Sequence, residues 1–231
     1  MASRPIFVPR WEGSRLVEEV AIDFSWHPGF APVQKKKNVV ALHEAASSKG
    51  FSHVLEVSTK SEEKLGSRLS AFNLKVTLPD GRTGPLESAY QGSKVFRDGG
   101  PFVDLYDLAP RDAKRDERLK NSGPLIGFRF GSDEWGLEPK TAFYDWLYLY
   151  SLKDHAAFLR KLLEYDGFTD IEFNPEKSLN CQARSCAILV SLLRKNLFPK
   201  VAHDKELFIS VLRPDSFAQP HSQDIKQGSL F

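Results

Sequence analysis

"GPLESAYQGSKVF", residues 84–96, decides how the rest of the chain is read. Pro85 suits the first turn of a helix, where its missing N–H is not needed. The paired glycines Gly99 and Gly100 supply a stop, so the spacing predicts a helix that runs from Pro85 up to them. Within it Glu87, Gln91 and Lys94 are offset by four and then three residues and share one face. From spacing alone this triplet reads as a solvated stripe with Lys94 as the ion-pair partner, an arrangement that contributes little. The chemical reading requires the stripe to face a cleft.

The chain around this helix has 231 residues, of which 41% are hydrophobic, 12% aromatic and 27% charged. These are the proportions of a soluble globular protein rather than a disordered one. At this length folding buries roughly 70% of the unfolded surface, so no disulfide or metal staple is required. A net charge of +2 argues against a protein that coats nucleic acid, which needs many phosphate-neutralising cations. Lys35-Lys36-Lys37 and Arg111…Lys114-Arg115 remain as local basic patches and read as solvated surface. The two cysteines, Cys181 and Cys186, are too badly oriented on one helix to form a disulfide. "MASRPIFVPRWEG" lacks the apolar centre of a signal peptide, and no apolar run reaches the roughly 20 residues of a membrane span. A cytoplasmic, reduced protein is expected.

Strands are predicted at 15–26, 53–58, around "LKVTLPDGRT", at 124–130 and, late, at 207–212. A helix is predicted from Asn38 as N-cap to Gly50, and another opens at Ser61. "EPKTAFYDWLYLYSL" and "KDHAAFLRKLLEY" read as two further helices, and the charged "RDAKRDERLKNSG" as a loop or short helix. "GFTDIEF" is extended. Asn180 then starts a helix whose Ala183, Cys186, Ala187, Val190 and Leu193 follow the spacing of a buried face. No repeat and no regular βαβ alternation is present. One α+β domain over 1–213, mostly helical with a small sheet, is therefore expected, with 214–231 as a mobile tail.

Two further constellations carry possible chemistry. In an extended segment Asp170 and Glu172 project to one side and Ile171 and Phe173 to the other. Two carboxylates beside a helix start serve acid/base work or hold a ribose; otherwise they mark a solvent-facing strand edge. The aromatic "FYDWLYLY" at 143–150 reads as core, although Trp146 or Tyr148 at a rim would stack on a base. GxGxxG, GxxxxGK[ST] and GxSxG are all missing, so neither a dinucleotide fold, a P-loop nor a nucleophile elbow is signalled. The six histidines show no metal-ligand spacing, and His27 and His43 read as surface or packing residues.

"LSAFNLKVTLPDGRTGPLESAYQGSKVF", residues 69–96, resembles the signature of the NADAR superfamily: a Ser-Asn-Phe loop, a strand, an Asp-Gly turn and a helix with Glu-His-x-x-Gln-x-x-Lys. Ser70 and Phe72 match the loop, Asp80 and Gly81 the turn, and Glu87, Gln91 and Lys94 the helix. "GFTDIEFNPEKSLNCQARSCAILVSLLR", residues 167–194, is similar to the family's closing block, with Asp170, Asn180 and Arg194 in place. Ala71 stands for the loop Asn, with Asn73 two residues on. Ser88 stands for the His, and Ile171-Glu172-Phe173-Asn174 for a Trp-Gly segment. The N-terminal "FSWHPGFAPVQKKKN" resembles one branch, the NADAR antitoxins paired with DarT-type DNA ADP-ribosyltransferase toxins.

The resemblance implies a glycosidase-type hydrolase that removes ADP-ribose from guanine bases in DNA, with no metal and no cofactor. It also leaves two alternatives: an antitoxin that only masks its cognate toxin, and an N-glycosidase of ribosylated pyrimidine intermediates of flavin synthesis. Cleavage at C1 of a ribose builds oxocarbenium-like charge, which a buried carboxylate stabilises. Glu87 is expected in that role, and Asp170 as a second carboxylate near the ribose or the water. Lys94 either attacks the opened sugar to form an imine or serves as a charge partner. Gln91 is expected to orient ribose hydroxyls. Ser70, Phe72 and Asn73 are expected on the diphosphate and adenine side, with Glu172, Trp146 and Asn180 as further binding residues.

Overall fold

The computed structural model describes residues 1–212, so the tail at 214–231 lies outside the described residues. The architecture is α+β. Its largest sheet has the order β2-β1-β9-β3. β1 (Ala2–Pro9) and β2 (Val17–Phe24) pair antiparallel along their whole length, Ala2 opposite Phe24 and Pro9 opposite Val17. β3 (Val54–Glu56) runs parallel to β9 (Gly167–Thr169), with Glu56 opposite Thr169.

β1 was not expected from the sequence. Ile6 and Val8 pack on one side of it with Ile22 and Leu42, whereas Phe7 joins the main core on the other. A strand buried on both faces shows no polar alternation, and Pro5 and Pro9 break its pattern further. Helix α1 (Pro32–Ser47) covers the first face. It starts earlier than Asn38, because Pro32 occupies its first turn. Asn38 is instead buried inside the helix, where its side chain accepts from His27 N at 2.7 Å and donates to His27 O at 2.9 Å.

α2 (Lys64–Arg68) is a single short helix, and β4 (Lys75–Thr77) forms a hairpin with β5 (Thr83–Pro85). α3 (Leu86–Gly92) follows directly, then β6 (Lys94–Phe96). The predicted long helix thus stops early, and Lys94 belongs to a strand. A Cβ on Gly92 would come within 2.6 Å of the Tyr106 ring, so this turn must be a glycine. Ser93 then closes the helix, its Oγ donating to Ala89 O at 2.7 Å. The β-favouring Lys-Val-Phe run pairs with β7 (Leu125–Phe130), which pairs in turn with β8 (Asp133–Trp135).

The charged segment forms the short helices α4 (Pro110–Arg115) and α5 (Arg118–Asn121). α6 (Ala142–Leu152) carries the aromatic run into the main core. The next predicted helix splits into α7 (Ala156–Leu159) and a 3-10 turn (Arg160–Glu164). α8 (Gln182–Arg194) packs against β1, β2 and β9, on the face opposite α1. The buried Arg184 of α8 pairs with Asp145 of α6 and joins the two helices. Cys181 and Cys186 are free and buried. α9 (Phe198–Val201) leads to α10 (Lys205–Leu212), where a strand was expected. Asp204 Oδ1 accepts from Leu207 N at 2.8 Å, and this cap starts a helix that buries Phe208 and Leu212, four apart. No described helix is long and apolar enough to cross a membrane.

Candidate active site

Every residue of α3 is buried, and a wholly buried helix must satisfy an acid in its first turn. Glu87 is 5% exposed, and its Oε1 accepts from Gln91 Nε2 at 2.9 Å. Lys114 Nζ, on α4, lies 3.7 Å from the same oxygen. Gln91 Oε1 is buried without a hydrogen-bond partner among the described residues. These groups form one wall of a cavity of about 260 Å³.

Lys94 is not among the side chains that line this cavity. It is 1% exposed, with Nζ 5.2 Å from the centroid of the Tyr90 ring. Burial lowers its pKa to about 8; Glu87 opposes that shift and Lys114 adds to it. Tyr90, one turn beyond Glu87, lines the cleft and accepts from Asn180 Nδ2 at 2.6 Å. Burial raises the pKa values of Tyr90 and Tyr144, whose rings meet edge to face 5.1 Å apart.

The opposite wall is built from the end of β9. The strand stops at Thr169 and the chain turns, rather than staying extended through Phe173. Asp170 and Glu172 both still reach the cleft, while Ile171 joins the core beneath α1. Phe173 meets Phe7 edge to face at 6.0 Å and also lines the cleft. Asp170 Oδ1 accepts from Glu172 N at 3.0 Å, and Oδ2 from Gln182 Nε2 at 2.9 Å. Burial first, and then the Glu172 charge, push Asp170 up to about 7 against these hydrogen bonds. Glu172 is exposed and pairs with Lys35 Nζ at 3.4 Å.

Gln182 joins the walls. While its Nε2 holds Asp170, its Oε1 accepts from Ala71 N at 2.7 Å, and Ala71 O accepts in turn from Glu87 N at 3.3 Å. The helix after the second block starts at Gln182 with Cys181 as N-cap, not at Asn180.

The structure thus brings Glu87, Gln91, Phe72, Asp170, Glu172 and Asn180 around one cavity. It does not bring Ser70, Asn73 or Trp146 to it. Ser70 is 1% exposed, and its Oγ accepts from Phe72 N at 3.4 Å. Asn73 is exposed and donates to Ser67 O at 2.8 Å. Trp146 is 5% exposed in the aromatic core, stacked on Tyr150 at 4.9 Å. The cavity is also lined by Tyr90, Tyr144, Gln182, Lys114 and Lys177, none of which the sequence marked as a site residue. Tyr90 was accessible to pattern reasoning, because a residue three after Glu87 shares its side of a helix.

In chemical terms the cleft holds one carboxylate facing amines and one facing other carboxyls, with amide and phenol groups between them. That set suits hydroxyl-rich ligands and the stabilisation of positive charge. Among the described residues no group of three or more His, Cys, Asp and Glu side chains is placed to hold a metal ion. No curated protein is found to match the chain. A family model described as the DarT1-associated NADAR antitoxin matches residues 2–222. With its Glu87–Gln91 helix and its Asp170 turn facing each other, the chain belongs to the family of DarT1-associated NADAR antitoxins.

Proposed function

We propose that this antitoxin is a hydrolase that removes ADP-ribose from guanine bases in DNA and so reverses the damage done by its cognate toxin. The observation that carries the reading is a buried carboxylate, Glu87, paired with Gln91 across a cleft from Asp170. Glu87 stabilises the cationic sugar as the bond from C1 to the base breaks. Asp170, whose pKa burial raises well above the usual carboxylate range, takes the proton of the attacking water. Gln91, which lines the cavity, orients the ribose hydroxyls. Phe72 and Lys114, whose Nζ lies 6.0 Å from that ring's centroid, serve the nucleotide's base and diphosphate.

Lys94 supports Glu87 from within the fold as a charge partner. A covalent role is the second reading, and the pKa of about 8 is what favours it, since a buried amine that loses its proton near neutrality is nucleophilic. In that route the ribose ring opens with guanine still on C1, the Lys94 amine adds to C1, the guanine amine leaves with a proton, and the lysine imine that remains is then hydrolysed by water. Borohydride would reduce the imine to a stable secondary amine and add the mass of the sugar nucleotide to Lys94; an unmodified Lys94 after that treatment leaves the electrostatic role.

The deciding experiment incubates the purified protein with ADP-ribosylated guanosine, without any toxin, and follows free ADP-ribose by chromatography. Release is expected. If the substrate is untouched while the protein still protects cells, the antitoxin acts by masking its toxin. If a ribosylated pyrimidine is cleaved instead, the substrate assignment is wrong and the reaction class stands.

A further inference from the structure

Glu56 plays no part in the mechanism above, yet it is 2% exposed and lies directly behind Asp170. The carboxyl is held by three donors. Oε1 accepts from Ser58 Oγ at 2.5 Å and from Ile171 N at 2.9 Å, and Oε2 accepts from Thr169 Oγ1 at 2.8 Å. Two of these donors belong to the residues on either side of Asp170. Glu56 does not line the cleft and touches no position a substrate would occupy. We propose that Glu56 is a positioning residue, a buried carboxyl that clamps the chain on both sides of Asp170 and fixes where that group meets the substrate.

The geometry supports the assignment in three ways. First, the strand ladder places the clamp. β3 and β9 run parallel with Glu56 opposite Thr169, so the side chain reaches just past the strand end where Asp170 begins its turn. Second, the clamp is itself oriented. With Glu56 ionised, Thr169 gives its one hydroxyl proton to that carboxylate, and in the 2.9 Å contact between His43 Nε2 and Thr169 Oγ1 the histidine is then the donor. Burial lowers the pKa of His43 to about 4, consistent with a neutral ring carrying its proton on Nε2. Third, an acid is an expensive choice at this position. Burial and the Asp170 charge push Glu56 up to about 8, a cost that an amide or an aliphatic side chain would avoid. The charged and titratable groups around the pair come from several elements: His43 on α1, Arg4 on β1, and Glu172 and Glu176 on the loop after β9.

The inference rests on the proposed role of Asp170, and its test keeps the two separate. Glu56→Gln leaves an acceptor for Ile171 N but presents an amide donor to Thr169 Oγ1, whose proton must then turn towards His43. Glu56→Leu removes both holds. Two readouts are taken on each variant: kcat and KM per folded molecule on ADP-ribosylated guanosine, and the pH titration of the Asp170 carboxyl carbon by NMR. A misplacement of about 1 Å costs on the order of 100-fold in rate. We therefore expect kcat to fall about tenfold for Gln and about 100-fold for Leu, with KM within about threefold of the unaltered protein. The Asp170 titration curve should change in both variants. Unchanged kcat together with an unchanged Asp170 titration overturns the proposal, even if thermal stability drops. If Glu56→Leu does not fold, Glu56→Gln carries the comparison. If the unaltered protein cleaves nothing, the reading of the site fails, but the Asp170 titration still decides whether Glu56 governs that carboxyl.

Discussion

The two walls of the cleft hold carboxylates of similar burial, 5% exposed at Glu87 and 8% at Asp170, in opposite electrostatic settings. Glu87 sits on a buried helix with two amines for neighbours, Lys114 at 3.7 Å and Lys94 behind it. Asp170 sits in a turn among other carboxyls, with Glu172 beside it and Glu56 beneath. Burial alone does not assign a role to an acid; the sign of the surrounding charge does. The first wall suits a carboxyl facing a developing cation. The second suits a group that gains and loses a proton.

That contrast breaks most sharply at Glu87. Removing an essential acid or base costs on the order of 100- to 10,000-fold in rate. Glu87→Gln should retain its circular dichroism and lose ADP-ribose release within that range. A mutant that keeps near-normal turnover would move the chemistry to the other wall. A smaller loss is expected at Gln182, which touches both walls. Gln182→Ala leaves Ala71 N and Asp170 Oδ2 without their partner, at a cost of about 1–3 kcal/mol for each buried group left unsatisfied. Turnover should fall by roughly 10- to 100-fold as the walls lose register, while Tm drops by several degrees. Thermal melts and kinetics on one preparation check both.

The second wall also makes a pH prediction. The folded pKa values of Glu56 and Asp170, about 8 and about 7, lie above their ordinary values of 4.5 and 3.8. Between about pH 4 and 8 the folded state therefore binds more protons at this pair, and their contribution to stability declines as pH rises. His43 works in the other direction, since its pKa falls from 6.5 to about 4 and the unfolded chain binds the extra proton over that interval. The net decline should be clearest between about pH 6.5 and 8, where His43 no longer compensates. Lys94, shifted from 10.5 to about 8, contributes in the other direction as pH rises further, against the raised thiols of Cys181 and Cys186. Denaturant unfolding at several pH values tests this, and Glu56→Gln should flatten the decline. Stability that climbs steadily from pH 6.5 to 8 contradicts the pairing of the two acids.

The difference between the walls also separates what the sequence disclosed from what it hid. Glu87 and Gln91 were legible because an i, i+4 pair on a helix is set by local geometry alone. The helix end was not, because the strand that follows it, Lys94–Phe96, is fixed by pairing with 125–128, about 30 residues on in the chain. Lys94 was therefore placed in the wrong element. On the second wall Asp170 was visible as an acid in an extended segment. Glu56 and Gln182 were not, since each acts on residues more than 100 positions away in the chain. β1 escaped because both of its faces are buried, and the last described helix because its β-branched run concealed the cap at Asp204.

The smallest expected effect lies at Asn73, which sequence reasoning set among the binding residues. Its side chain is exposed and donates to Ser67 O, outside the residues that form the cleft. An exposed hydrogen bond of this kind contributes about 1 kcal/mol or less. Asn73→Ala should therefore leave both kcat and KM within about twofold, because the turn is also held by backbone bonds from Asn73 N and Leu74 N to Ser70 O at 2.8 and 2.9 Å. The measurement is a titration of initial rate against ADP-ribosylated guanosine. A several-fold rise in KM would mean that the 70–73 loop swings its amide into the cleft when substrate binds, and the first wall would then be a moving one. With both constants unchanged, recognition on that side falls to Phe72, Gln91 and Lys114, and the first wall is rigid before the substrate arrives.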